Sequence, residues 1–164
     1  MTNSEILHLR PVEDTDREQL WIWSNDPEVR ARSFNSRPIP WEAHCHWFST
    51  RLADHFWKAW IGIDSSYSPV GVVRFQVRET RAEIGVSVAI EARGRGFGRA
   101  LITQGCTALF QTLPIVAVDA LIKPDNIPSL VAFRASGFRE VDISSPILHP
   151  HRYLVLERLQ QLLN

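Results

Sequence analysis

Apolar and polar positions alternate along several segments of the chain with the two-residue period of β-strands. The clearest run predicts three consecutive strands at residues 57–64, 70–78 and 81–90, separated by residues 65–69 and 79–80, which suit hairpin turns. An antiparallel meander follows from this order. Weaker alternation predicts further strands at residues 6–12, 115–122 and 153–157.

Between these strands, apolar residues recur with the helical period. Helices are predicted at residues 14–24, from Glu28, from Pro40 to about residue 53, and at residues 97–110 and 126–136. In the helix after Pro40, four residues recur at spacings of four, three and four, and we expect them to face the core: Trp41, Cys45, Phe48 and Leu52. The order of elements predicts one α/β domain over residues 1–164, with a mixed sheet covered by helices on both faces.

A glycine-rich turn joins the third strand of the meander to the helix at 97–110. Its sequence is Arg93-Gly94-Arg95-Gly96-Phe97-Gly98. Glycines let backbone N–H groups approach a phosphate, and the first turn of a helix offers unpaired donors and a partial positive charge. The spacing excludes a P-loop and a dinucleotide-binding fingerprint. The turn therefore predicts a pyrophosphate site, although a tight turn also needs glycine when nothing binds there.

A second segment with regular spacing spans residues 126–138. It contains Asn126, Ser129, Phe133 and the pair Gly137-Phe138. Residue by residue, this segment is explained by helix structure alone, because Asp125 or Asn126 suits a helix cap and glycine suits a helix end. The joint spacing of the two segments is what argues for a function.

The two segments together resemble the acyl-coenzyme A motifs of the GNAT superfamily of N-acetyltransferases. Arg93-x-x-Gly96-x-Gly98 is similar to Gln/Arg-x-x-Gly-x-Gly/Ala, and residues 126–138 are similar to Asn-x-x-Ser/Ala-x-x-x-Tyr-x-x-x-Gly-Phe, with Phe133 at the tyrosine position. The resemblance implies a single GNAT-like domain whose fourth and fifth strands splay apart around acetyl-CoA. It implies cofactor contacts at Val88, Ile90, Arg93, Gly94, Arg95, Gly96, Phe97, Gly98, Asn126, Ser129 and Phe133.

Transfer of an acetyl group to an amine requires that the amine lose a proton. Glu83 is the first candidate for the base, because it begins the strand face that also carries Gly85 and Ser87, where small residues leave room for a ligand. The same residue could equally be a solvated carboxylate paired with Arg78 or Arg81. Asp119 and His44 are the alternative bases.

The acceptor site is expected in the N-terminal third of the chain, because the two motifs account for the coenzyme alone. Asn35, His44 and Trp47 are predicted to contact the acceptor in a polar and aromatic segment. This segment resembles the GNAT branch of nucleotide-sugar and pseudaminic-acid pathways, which implies an amino sugar on a nucleotide as acceptor. Acetylation of protein N-termini or small amines remains open. Two non-catalytic functions also remain open: an acyl-CoA sensor and a protein-interaction module.

The balance of charged residues limits the classes of partner that the protein is expected to bind. Eighteen basic and eighteen acidic side chains cancel, which argues against a nucleic-acid or anionic-membrane surface. The N-terminus lacks the pattern of a signal peptide, so a cytoplasmic location is expected.

Cys45 and Cys106 are expected to be free thiols. No metal is predicted, since His44 and His46 diverge on a helix and His149 and His151 fit an exposed loop. The apolar tail at 159–163 suggests a homodimer.

Overall fold

The strands form one mixed sheet. The structure is a computed structural model that describes residues 7–142 and 151–161. Its sheet has seven strands in the order β1-β2-β3-β4-β5-β7-β6. The strands are β1 (His8–Pro11), β2 (Trp57–Ile63), β3 (Pro69–Arg78), β4 (Arg81–Val88), β5 (Ala117–Ile122), β6 (Arg139–Val141) and β7 (Arg152–Glu157).

Six α-helices accompany the sheet in the part of the chain that is described. Their bounds are α1 (Arg17–Ser24), α2 (Pro27–Arg32), α3 (Trp41–Ala53), α4 (Phe97–Thr112), α5 (Ile127–Ala135) and α6 (Arg158–Gln161). The hydrogen bond from Arg51 of α3 to Gln76 of β3 places α3 on one face of the sheet. On the opposite face, α4 packs so closely that a Cβ at Gly105 would lie 2.8 Å from Val73. The predicted α/β fold with helices on both faces is therefore confirmed.

Strands β4 and β5 form the only parallel pair among the described strands, and they separate soon after they begin. Arg81, Ala82 and Glu83 pair with Ala117, Val118 and Asp119, and no pairing with β5 continues beyond that rung. The second half of β4 is therefore left with free backbone groups on the β5 side. The predicted splay between the fourth and fifth strands is confirmed.

Two predictions about local structure were wrong. Strand β4 ends at Val88 rather than Ile90, because the chain turns into a short 3-10 segment, Ile90–Ala92, once the amide of Ala89 has bonded to the carbonyl of Val70. In α3 the buried residues are His44 and Phe48, whereas Trp41 and Leu52 are exposed and Cys45 is half-buried. The helix is rotated from the expected orientation because His44 finds a polar partner inside the domain.

Both cysteines are free thiols, as expected, with Cys106 buried and Cys45 half-buried. No helix in the described ranges is both long and apolar enough to span a membrane. Leu159 at the start of the apolar tail is exposed, while residues 162–164 and His149 lie outside the described residues. The homodimer remains a prediction.

Candidate active site

A cavity of about 760 Å³ opens where β4 and β5 separate. The glycine turn, the start of α5, and α2 with the residues that follow it all line this cavity. Residues 84–88 of β4 also line it, with Val88 toward the glycine turn and Gly85 toward the end of the cavity away from that turn. A cavity of this shape can hold a long ligand along the free edge of β4 and a second ligand at its far end.

The glycine turn has the backbone expected of an anion site. Gly94 and Gly96 have positive φ angles of 75° and 85°, and a Cβ on either would meet no atom within 4 Å. The φ angles explain these two glycines by themselves. Gly98, the second residue of α4, has no such angle, and its Cβ would lie 3.7 Å from Val88 in ordinary contact. The fold does not need glycine at position 98, which leaves the space beside the helix N-terminus for a ligand.

Helix α5 supplies the opposite wall. The side chain of Asn126 caps the helix by accepting a hydrogen bond from the amide of Ser129, at 3.3 Å. Asn126, Ser129 and Phe133 all line the cavity. Phe133 is buried and packs edge-to-face on Phe138, with ring centroids 5.0 Å apart.

The side chain of Arg93 lines the cavity but is held in place by ion pairs with neighbouring residues. Its guanidinium pairs with Asp26 at 2.9 Å and with Glu28 at 2.6 Å, and it also donates to the carbonyl of Val88. These contacts fasten α2 to the end of β4, and they hold the pKa of Asp26 below its usual range against the opposing effect of burial. Arg95 lies over the ring of Phe97 and is not among the residues that line the cavity.

Two carboxylates meet at the last paired rung of β4 and β5. Glu83 and Asp119 are directly opposite each other. Asp119 is held by Arg81 and by the hydroxyl of Tyr153, which donates at 2.6 Å. Burial and the Asp119 carboxylate raise the pKa of Tyr153. Glu83 is exposed and has no hydrogen bond or ion pair within residues 7–142 and 151–161, so the expected alternative pairing with Arg78 or Arg81 is absent there.

Glu83 itself does not line the cavity, which begins at the next residue, Ile84. It stands two residues before Gly85 on the same face of β4, about 7 Å away along the strand. Of the two carboxylates, Glu83 is the one whose oxygens are not already occupied by cations or hydroxyl groups.

Besides Arg95, three residues predicted to bind ligands do not line the cavity. His44 is buried, its Nε2 lies 2.7 Å from the carbonyl oxygen of Arg17, and its ring stacks on Phe48. Trp47 packs against His44 of the same helix and against Trp57 of β2. Ile90 is 60% exposed and borders a separate, smaller hollow. His44 joins α3 to α1, Trp47 packs α3 against β2, and Ile90 begins the short 3-10 segment after β4. Asn35 does line the cavity.

We expect His44 to make stability depend on pH. Burial lowers its pKa from the ordinary 6.5, so its contribution to stability is complete above about pH 6.5 and is lost as the pH falls toward the lowered pKa. Thermal unfolding from pH 8 to 5 should show a smaller fall in Tm for His44→Gln than for the native chain. His46→Gln, an exposed change on the same helix, should keep the native slope; an unchanged slope in His44→Gln would contradict the prediction.

Sequence reasoning missed the basic residues of the cavity. Arg30, Arg32, Arg74 and Lys123 all line it. Arg74 did carry a signal, since it is a charged residue in the middle of the apolar segment 70–77. Its position opposite Gly85, however, follows only from the register of β3 and β4.

Comparison with known proteins decides the family. The family model described as an acetyltransferase (GNAT) domain matches residues 7–139, most of the chain. The chain belongs to the GNAT acetyltransferase family. It is an acyl-CoA-dependent N-acetyltransferase. No curated protein matches it by sequence.

Solved structures share this GNAT fold at low sequence identity. A spermidine N-acetyltransferase from Vibrio cholerae, in complex with CoA and spermine, superposes with a TM-score of 0.84 at 18% identity, covering 98% of this chain and 99% of the other. A domain from Methanocaldococcus jannaschii has a TM-score of 0.80 at 21% identity, covering 94% and 99% of the two chains. At these identities the likeness concerns the fold alone.

The GNAT assignment makes acetyl-CoA the co-substrate, and the glycine turn fits it. The open space around Gly94 and Gly96 and the missing Cβ at Gly98 leave room for phosphates at the N-terminus of α4. The free edge of β4 continues from there toward Gly85, in the direction that an extended arm would take.

Proposed function

We propose that this GNAT protein acetylates the primary amine of a small molecule, which binds at the end of the cavity near residue 85 of β4, away from the glycine turn. The observation that carries the proposal is the continuity of the cavity. The glycine turn, the unpaired half of β4, Asn35 and Arg74 all line the same cavity. A coenzyme lying along β4 would present its thioester to a second ligand at that far end.

In the proposed reaction the neutral amine nitrogen attacks the thioester carbonyl. A nitrogen–carbon bond forms, the carbon–sulfur bond breaks, and coenzyme A leaves as a thiolate. Glu83 accepts the proton that the amine loses, directly or through water. Its carboxylate suits this role because no other described side chain binds it.

The leaving thiolate needs no acid from residue 133. Phenylalanine has no proton to donate, and a thiol with a pKa near 8.5 is a tolerable leaving group at neutral pH. Water or Ser129, which also lines the cavity, can protonate the sulfur.

We therefore expect Phe133→Tyr to leave kcat within about tenfold of the native value.

Phe133→Leu should weaken acetyl-CoA binding, because the ring forms part of the cavity wall. Phe138→Leu is the matched control: Phe138 packs on Phe133 but does not line the cavity, so it should lower Tm without weakening binding. A thiol-release assay measures kcat, titration calorimetry measures acetyl-CoA affinity, and thermal unfolding measures Tm. A native chain that never releases thiol, beside an active Phe133→Tyr, would instead support an acyl-CoA sensor.

The comparisons favour a small amine over the amino group of a nucleotide-linked sugar. The V. cholerae proteins of the same fold are described as spermidine N-acetyltransferases. A primary amine on a small, flexible molecule is therefore the acceptor class proposed here.

A thiol-release assay with acetyl-CoA and a panel of amines tests the function. The panel should contain alkylamines, diamines, amino acids, aminoalkyl phosphates, a nucleotide amino sugar and a short peptide with a free N-terminus. We expect acetylation of at least one class of small amine. Turnover restricted to the nucleotide sugar or the peptide, or the absence of turnover with every amine, would overturn the proposal.

A further inference from the structure

Arg74 is the one cavity-lining cation that has no hydrogen-bond or ion-pair partner among the described residues. It projects from β3 opposite Gly85 of β4. A Cβ at Gly85 would lie 3.0 Å from Nε and 3.3 Å from Cζ of Arg74, so the guanidinium lies directly over this glycine. Gly85 is also where the free edge of β4 borders the cavity.

Arg30 adds a second charge that no described carboxylate neutralises. Its nitrogens donate to the carbonyl oxygens of Ser24 and Asn35 and to the hydroxyl of Ser33, all of which are neutral. By contrast, Arg32 pairs with Glu28 at 2.7 Å, and Arg93 pairs with Asp26 and Glu28. Burial lowers the pKa of both Arg30 and Arg74, and in Arg74 the charges of Arg30 and Arg51 lower it further.

An unpaired, half-buried guanidinium opposes folding. It loses hydration, and its five N–H donors lack the protein acceptors that would replace water. A ligand that brings negative charge would supply what is missing, since guanidinium binds carboxylate and phosphate through paired hydrogen bonds.

We do not expect the phosphates of coenzyme A to be that ligand. They are expected at the glycine turn, beyond Val88, whereas Arg74 lies over Gly85, three residues earlier and about 10 Å back along β4. The part of acetyl-CoA that reaches this end is the uncharged thioester. The negative charge must therefore come from the acceptor.

We infer that the acceptor is a small primary amine bearing an anionic group, a carboxylate or a phosphate, which Arg74 and Arg30 bind at the far end of the cavity. This inference rests on the proposed function and narrows its substrate class. Polyamines have the opposite charge, and two uncompensated guanidinium groups repel them.

Matched amines test the inference. Butylamine, 4-aminobutanoate and putrescine share a four-carbon chain that ends in a methyl group, a carboxylate or a second ammonium; ethanolamine and 2-aminoethyl phosphate form the phosphate pair. We expect at least about tenfold higher kcat/KM for one of the anionic amines than for its neutral partner, corresponding to about 1.4 kcal/mol of transition-state binding, and the lowest value for putrescine. Whether the carboxylate or the phosphate pair shows the larger ratio identifies the anion.

Variants show whether Arg74 is responsible. Arg74→Gln should bring the anionic-to-neutral ratio close to one without raising the KM for acetyl-CoA, and Arg74→Glu should shift the preference toward putrescine. Arg78→Gln, an exposed arginine on the same strand and outside the cavity, should keep the native ratio. Because Arg74→Gln removes an uncompensated charge, its Tm should equal or exceed the native value, whereas loss of a structural arginine would lower it.

The possible outcomes distinguish the proposed amine acetylation from the inferred preference for an anionic acceptor. Equal kcat/KM within both pairs, or a preference for putrescine, would overturn the anionic acceptor and leave amine acetylation standing. A native ratio retained in a folded Arg74→Gln would overturn the role of Arg74. If no amine in the full panel is acetylated, the proposed function fails; calorimetry with the CoA-loaded protein then tests the inference alone, which is wrong if 4-aminobutanoate and 2-aminoethyl phosphate bind no better than their neutral partners.

Discussion

Replacing Gly98 with glutamate should abolish acetyl-CoA binding and leave the domain folded. A Cβ at this position makes only an ordinary contact with Val88, and a carboxylate near a helix N-terminus stabilises the helix. The same carboxylate would occupy the place of a phosphate and repel those that remain. Gly96 is less suitable for this test, because its positive φ angle makes any side chain strained.

We expect acetyl-CoA affinity to fall at least about 100-fold in Gly98→Glu, which corresponds to about 2.7 kcal/mol. Gly98→Ala should give a smaller loss, with an unchanged or higher Tm, because alanine favours the helix. Thr103→Glu is the matched control: it makes the same charge change at an exposed position of α4 outside the cavity. Calorimetry measures the affinities. Native affinity in a folded Gly98→Glu would mean that the turn serves the fold alone.

The second large effect is expected from Glu83→Gln. Glutamine keeps the size of the side chain and removes its ability to accept the proton of the amine. General base catalysis contributes about 10²- to 10⁴-fold, so kcat at neutral pH should fall by about 100-fold or more. The loss should shrink at alkaline pH, where free amine accumulates. Acetyl-CoA affinity should change less than about twofold, since Glu83 lies outside the residues that line the cavity.

Two further variants separate catalysis from structure. Glu79→Gln removes an exposed carboxylate from the turn of the same hairpin and should keep native rates. Asp119→Asn weakens the contacts with Arg81 and Tyr153 and should lower Tm. Wild-type rates for Glu83→Gln at every pH would remove Glu83 from the mechanism and make another group, or water alone, the base.

The contrast between Gly98 and Arg74 shows how much of the site the sequence could predict. Gly98 belongs to a local motif, whose glycines and following helix residues are neighbours along the chain, and the resemblance of that motif to the GNAT signature predicted a cofactor contact there. Arg74 meets Gly85 only through the pairing of β3 with β4, and it approaches Arg30 only because α2 packs over that face. The spacing of residues along the sequence does not reveal such contacts between distant residues.

His44 and Asn35 show the same limit in the acceptor region. Both lie in one polar and aromatic segment, and both were predicted to bind the acceptor. Packing separates them: His44 turns inward to the carbonyl of Arg17, whereas Asn35 faces the cavity. Of the four residues of α3 expected to face the core, only Phe48 is buried. The others were wrong for the same reason, since periodicity treats histidine as polar and does not reveal a partner on another helix.

By itself, the sequence determined the order of the main strands and helices, the glycine turn and the cap of α5, because these features depend on alternation, helical period and residues close along the chain. The expectation of a GNAT domain came from the resemblance of two sequence motifs to that family. Only the tertiary structure decided which carboxylate at the β4–β5 rung is already occupied, that His44 is internal, and that Arg74 and Arg30 share one cavity. These facts depend on strand register and helix packing. A shift of a single residue in register would have sent Arg74 to the other face of the sheet.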